Sequence, residues 1–293
     1  MANLQDIKRR MSSVKSTRKI TSAMQMVATA KLMQIHKATH GFDEYANGLQ
    51  QIVGHLIRQK VLEQVAGEVP FVTARDVKKT GMLVITTDRG LVGSYNSMVI
   101  KQTNALMADL GLTRDDVVII AVGRKGADYY RGAGYEVLGN EISLPDIVTY
   151  EDVREVVVQI TDLYTDGQID ALHIAYNHYV NRLANEFAHR QLLPLTVESL
   201  VTTDAVTEMY EIEPDPASVL KRLLPLYVQS LLFAAIADAK TEEHAARSNA
   251  MRGATENADD LNNKLRLTYN RARQAAITTE ITEITAGMAA LED

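Results

Sequence analysis

Apolar positions along this chain keep two different periods. In the first 59 residues they recur at helical spacing, as Ile7, Met11 and Val14 and then as Ile20, Met24 and Val27. The second set is offset by one residue, so the seam drifts around the helix, which suits a loosely wound helix pair better than a strict heptad zipper. The pattern predicts one long helix over residues 4–59, with Asn3 as its N-cap and Asp6 in its first turn. Gly41, Gly48 and Gly54 each cost roughly 1 kcal/mol against Ala in a helix, so the far half needs packing partners. Residues 66–76 break the pattern and read as a linker.

From residue 77 the period changes. Met82–Thr86, Val117–Val122, Tyr135–Leu138, Ala171–Tyr176 and Asn185–Leu193 read as short apolar strands. They alternate with helical patterns ending at Leu110 and covering 150–165. Such alternation implies a mostly parallel sheet covered on both faces. About eight polar residues separate the fourth and fifth strands, too few for a crossover helix, so these two should pair antiparallel.

A second long helix starts at Glu213-Pro-Asp-Pro216, with Asp215 as N-cap and Pro216 at the first helical position. It should run to about Ala290, kinked by Pro225, and its many alanines permit close approach of a partner helix. The two helices measure ~84 Å and ~110 Å at the α-helical rise. Neither can bury its stripe alone, so an antiparallel pair is expected, with residue i opposite roughly residue 275 − i. The later helix then overhangs its partner by ~20 residues. In that overhang Ile277, Ile281, Ile284, Met288 and Leu291 form one apolar stripe with no cover inside the chain.

Charge adds a polarity. Residues 1–60 hold ten Lys and Arg against three acids, a net +7, so with a total of −6 the remainder carries −13. A basic end of this kind points to an acidic partner. Cysteine is absent, which removes disulfides, thiolate chemistry and Cys-based metal sites. No run of ~18 apolar residues spans a membrane.

Candidate chemistry is thin. Asp88–Asn96 follows a strand and precedes a helix, where phosphates bind, and Gly123-Arg-Lys-Gly126 occupies a similar place. Neither completes a phosphate-binding motif, so turns are expected there. His36 and His40 lack the glutamate of a zinc-protease helix, and His173, His178 and His189 are expected to be core or surface residues. No catalytic, cofactor-binding or metal site is expected. Nucleic-acid binding by Lys8–Lys19 lacks interleaved aromatics. A nucleotide-binding α/β enzyme with a coiled-coil arm remains as an alternative.

Three stretches carry a resemblance to one family: LQDIKRRMSSVKSTRKITSAMQMVATAKL, TTDRGLVGSYN and NRARQAAITTEITEITAGMAAL. With EPDPASVL and TEEHAARSNAM, they make the chain similar throughout its length to the gamma subunit of F-type ATP synthase. The resemblance implies an α/β fold: a long antiparallel coiled coil of the terminal helices plus a central Rossmann-like α/β domain that binds no nucleotide. It sets three segments, residues 1–60, 61–212 and 213–293. It implies a non-catalytic rotor stalk without cofactors, turned by the membrane c-subunit ring as protons flow. The partners would be three alpha and three beta subunits, epsilon and the c ring. For residues, it implies that Lys8 and Arg9 face acidic beta-subunit loops, and that Met24 lies where rotation couples to catalysis. Arg273 and Gln274 would bond to beta, with Thr278 and Glu280 in the same coupling segment. Ile281, Ile284, Met288 and Leu291 would turn in an apolar sleeve of alpha and beta, while Tyr210 and Glu213 would meet the c ring and epsilon. With no transit peptide, the expected place is the bacterial cell membrane, as a peripheral protein on its cytoplasmic side.

Overall fold

The computed structural model describes residues 4–59, 61, 65, 69–72, 75–196 and 211–292. The first helix, α1, covers Leu4–Arg58, and the last, α5, covers Pro216–Glu292 without interruption at Pro225. Between them lie β1 (Thr80–Ile85), α2 (Tyr95–Asp109), β2 (Val117–Val122), α3 (Arg124–Gly132), β3 (Glu136–Ile142), α4 (Tyr150–Thr165), β4 (Ala171–Tyr179) and β5 (Asn185–Leu193). The chain divides into two compact units: Met1–Ala28 with Ser248–Asp293, and Thr29–Arg247. Both terminal helices contribute to both units.

In the second unit, five strands form one sheet in the order β3-β2-β1-β4-β5. The β1 pairings with β2 and β4 are parallel, as is that of β2 with β3. The β4–β5 pairing is antiparallel, from Leu172 opposite Leu193 to Tyr179 opposite Asn185. This is the mixed sheet expected from the short β4–β5 connection. Both β1 and β2 are buried along their whole length, which is why they read as unbroken apolar runs. Alternate residues feed two separate cores. Leu83, Ile85, Ile120 and Ile174 join α4, the end of α1 and the start of α5, whereas Met82, Val84, Ile119 and Ala175 join α2 and α3. β3 runs four residues past its expected end at Leu138, through Gly139-Asn-Glu to Ile142. It is an edge strand held by backbone pairing to β2 with a register shift, so its second half carries no apolar run to read.

α4 starts at a reciprocal cap. The Thr149 side chain accepts from the Asp152 N–H, and the Asp152 carboxylate accepts from the Thr149 N–H at 2.8 Å. These bonds hold the Asp152 carboxyl below its usual range.

In the first unit the helices run antiparallel. Arg18 Nε donates to Asp259 Oδ1 at 2.6 Å, and the Thr21 and Thr255 hydroxyls meet at 2.7 Å. The paired numbers sum to 277 and 276, within two residues of the register expected from helix length. Ile7, Ala28, Met251 and Ala258 are buried along this pair.

Candidate functional site

Because the register sum is near 276, residues of α5 beyond about 272 have no facing residue among the described residues of α1. Their exposure follows. Ile277, Ile281, Ile284 and Met288 are 47%, 56%, 63% and 60% exposed. Leu291 lies in the last turn of α5. Covering those four side chains would yield on the order of 5 kcal/mol to a partner. The polar face of the same segment is closed upon itself. The hydroxyls of Thr278, Thr279, Thr282 and Thr285 donate to the carbonyls of Gln274, Ala275, Thr278 and Ile281 at 2.8–3.0 Å. Each threonine therefore turns its hydroxyl to its own helix. Arg273, Gln274 and Glu280 are exposed.

Toward the start of α1, Lys8 and Arg9 are exposed, as are Arg10, Lys15 and Lys19. Met24 is half-buried. Glu213 is exposed in the bend before α5, and Tyr210 lies outside the described residues.

The phosphate-like turns of the second unit are occupied by the protein itself. α3 begins at Gly123 (φ +92°), and its first N–H groups all have partners. Arg124 N donates to Asp88 Oδ1 at 3.0 Å, Lys125 N to Thr87 O at 3.1 Å, and Gly126 N to Thr86 Oγ1 at 2.9 Å. Ala127 N then closes the first helical bond to Gly123 O. Helix N-termini bind anions through such donors, and here the anion is Asp88, whose other oxygen accepts from Ser143 Oγ at 2.8 Å. The Asn96 side chain holds Thr87 from the other side: its Oδ1 accepts from Thr87 N at 3.0 Å, and its Nδ2 donates to Thr87 Oγ1 at 2.8 Å. Thr86 also packs against both glycines of the turn, so that a Cβ on Gly126 would meet its hydroxyl oxygen at 2.8 Å.

A second polar cluster lies on α5 at residues 238–244, overlapping the TEEHAARSNAM stretch, whose burial no local pattern signals. Lys240, Glu242, Glu243 and His244 of α5 are all buried, between 1% and 4% exposed. Glu243 accepts from Arg247 at 2.9 Å and from Lys240 at 3.2 Å, pairs along one helix face. Glu242 Oε1 accepts from Asn185 Nδ2 at 2.6 Å. One turn earlier, Asp238 accepts from Tyr179 N at 3.1 Å and lies 2.6 Å from His178 Nδ1. Tyr95 OH donates to Ala239 O at 3.3 Å from α2. Burial lifts Glu242 to about 7, assisted by the Asp238 charge. Burial lowers His244 to about 4. That imidazole is neutral, with Nε2 3.8 Å from Asp146, which is itself paired with Lys31. Neither ring nitrogen has a hydrogen-bond partner.

His173 and His189 stack across β4 and β5, 5.3 Å between ring centroids, with a 3.0 Å nitrogen–nitrogen contact. Burial, with the neighbouring imidazole, lowers His173 to about 4. His173 is buried in the sheet while His189 is exposed on the edge strand, and the described residues hold no cluster of three or more metal-ligating side chains.

A family model described as ATP synthase matches residues 3–291. Over its full length the chain is 52% identical to the ATP synthase gamma chain of Leuconostoc citreum, of which it also covers 100%. It is 45% identical to that of Lactiplantibacillus plantarum, over 99% of both chains. Among solved structures, it is similar to a chain of the Tetrahymena thermophila mitochondrial ATP synthase central stalk and c-ring, with a TM-score of 0.58 and 25% identity. That match covers 80% of this chain and 99% of the other. A chain of the Euglena gracilis mitochondrial ATP synthase shares the fold, with a TM-score of 0.66 and 17% identity, over 98% of this chain and 94% of the other.

Proposed function

Since the chain belongs to the family of ATP synthase gamma chains, we propose that it is the central rotor stalk of a proton-driven ATP synthase. It is a subunit of that complex and associates peripherally with the membrane through it. In this reading it does no bond chemistry. The c-subunit ring turns it, and its asymmetric shaft drives the catalytic sites of the beta subunits through their successive states. On hydrolysis the same parts run in reverse. The partners are three alpha and three beta subunits, epsilon and the c ring, on the cytoplasmic side of a bacterial membrane.

The observation that carries this reading is the apolar stripe Ile277–Met288 standing exposed beyond the end of its partner helix. We assign its outer part, Ile281, Ile284 and Met288, with Leu291, to an apolar sleeve formed by alpha and beta. An apolar contact is non-directional, and the hydroxyl protons of Thr282 and Thr285 are already donated to their own helix, so a sleeve can hold this tip and still let it turn. Arg273, Gln274, Thr278 and Glu280 lie nearer the body and supply polar contacts to beta. Lys8 and Arg9 meet acidic loops of beta, and Met24 lies between these regions. Tyr210 and Glu213 belong to the foot that meets the c ring and epsilon. Residues 1–60 and 213–293 form the shaft, and residues 61–212 the body.

The self-filled turns at Asp88 and Gly123 support a non-catalytic role over a nucleotide-binding enzyme. The test is co-purification of the full chain with alpha and beta subunits from a reconstituted mixture. A stable complex with ATPase activity is expected. A chain that binds neither subunit, or that takes up ATP on its own in calorimetry, would sink the reading.

A further inference from the structure

The tip and the buried polar cluster on α5 call for opposite contact physics. A rotating tip must slip in its sleeve, whereas a helix that carries torque must not roll where its own body holds it. Apolar packing resists rolling poorly, because burial changes little with a small turn of the helix. Hydrogen bonds resist it well, since they weaken steeply with angle. Tyr150 OH donates to Gln229 Oε1 at 2.7 Å near the start of α5, and further along the helix the second unit places several directional contacts within two turns. Asp238 and Glu242 are i, i+4 and share one helix face, and both carboxylates engage the β4–β5 hairpin. Asp238 takes Tyr179 N and His178, and Glu242 takes Asn185 Nδ2. A contact of a different kind comes from α2, where Tyr95 OH reaches Ala239 O. The two strands of the hairpin are joined by eight cross-strand pairs, from Leu172–Leu193 to Tyr179–Asn185, and β4 is anchored to the sheet by five parallel pairs with β1, from Thr80–Ala171 to Val84–Ala175.

Building on the stalk reading, we propose that Asp238, Glu242 and Asn185 are positioning residues that lock α5 against rotation about its own axis, forming the grip through which the body turns the shaft. A leucine at Glu242 would fill the same space at lower desolvation cost, and a buried carboxylate is retained here at the one face that meets a fixed hairpin. The contacts of Asn185 with Glu242 and of His178 with Asp238 are both 2.6 Å, short bonds that weaken steeply with angle, as a torque contact requires. Slip at the tip and grip at residues 238–242 are then two halves of one device.

The test uses the assembled complex of alpha, beta and this full chain, with the hexamer fixed and a probe on the body of the rotor. Thermal fluctuation of the probe angle reports torsional stiffness, its variance rising as stiffness falls. The double variant Asp238→Leu/Glu242→Leu is expected to widen that variance roughly two-fold while the melting temperature of the free chain holds or rises. Glu242→Gln, which still accepts from Asn185, should keep the variance of the unaltered protein. Asn185→Leu should widen it without changing the charge of α5. An unchanged variance in the double variant overturns the grip. So does a widening that tracks a drop in melting temperature, because the residues would then serve folding alone. Failure of the unaltered chain to assemble with alpha and beta would overturn the stalk reading instead.

Discussion

Gly123 shows how much one side chain can cost in this body. Its φ of +92° is a conformation glycine adopts freely, and a Cβ there would lie 2.3 Å from Thr86 O. That oxygen is backbone and cannot swing aside. Gly123→Ala is therefore expected to destabilise the chain by about 2–4 kcal/mol, read from urea unfolding. A loss below about 0.5 kcal/mol would mean that the turn relaxes around the methyl. The requirement was half legible. Gly123-Arg-Lys-Gly126 after a strand marks a turn at a helix start. That Asp88, 36 positions from Arg124 in sequence, would take its first donor, with Thr87 and Thr86 taking the next two, depends on the parallel pairing of β1 with β2, which no local pattern encodes.

At the scale of elements, the long helices were the most readable part. Their register follows from length and the antiparallel constraint, because a straight helix has one rise per residue. The buried charges of α5 were unreadable for the opposite reason. Lys240, Glu242, Glu243 and His244 fall within five residues and look like a solvated face. Their burial depends on distant partners such as Asn185 and on the body packed around them. The tip is a separate case, since its stripe makes no burial within the chain. Removing residues 277–293 should change the unfolding free energy of the isolated chain by less than about 0.5 kcal/mol. The same deletion should weaken association with the alpha and beta subunits. A loss near 2 kcal/mol in the free chain would show that the stripe is covered intramolecularly after all.

Over the whole molecule, buried titrating groups set an acid limit. His173 and His244, with folded values of about 4, stay neutral while an unfolded imidazole takes up a proton near 6.5. The unfolded state then binds more protons, so stability present above pH 6.5 is lost as pH falls toward 4. Glu242 works the other way. With a folded value of about 7, its native state binds the extra proton, and stability rises as pH falls from 7 toward 4.5. Each contribution is on the order of 3 kcal/mol, so the two histidines outweigh the glutamate and the chain should weaken on acidification below about pH 6. His244→Leu is expected to remove about half of the histidine loss, checked by melting temperature from pH 7 to 4.5. An unchanged acid limb in that variant would remove His244 from the account. The shifts of Glu242 and His244 were hidden because both stand in the polar run Lys240–His244, whereas His173 lies within the apolar run Ala171–Tyr176, which signals burial but not the imidazole stacked on it.

The turn filled by Asp88 has a last consequence. A rotor works beside nucleotide in every state of its cycle, and an open helix end would let that nucleotide bind the rotor with its own free energy. Shaft angle would then depend on cellular ATP as well as on torque. With the backbone N–H groups of Arg124, Lys125 and Gly126 already taken, this turn has no free backbone donor to cradle a phosphate. The body keeps the architecture of a doubly wound sheet but spends this helix end on its own carboxylate, which removes one route by which nucleotide could bias the shaft.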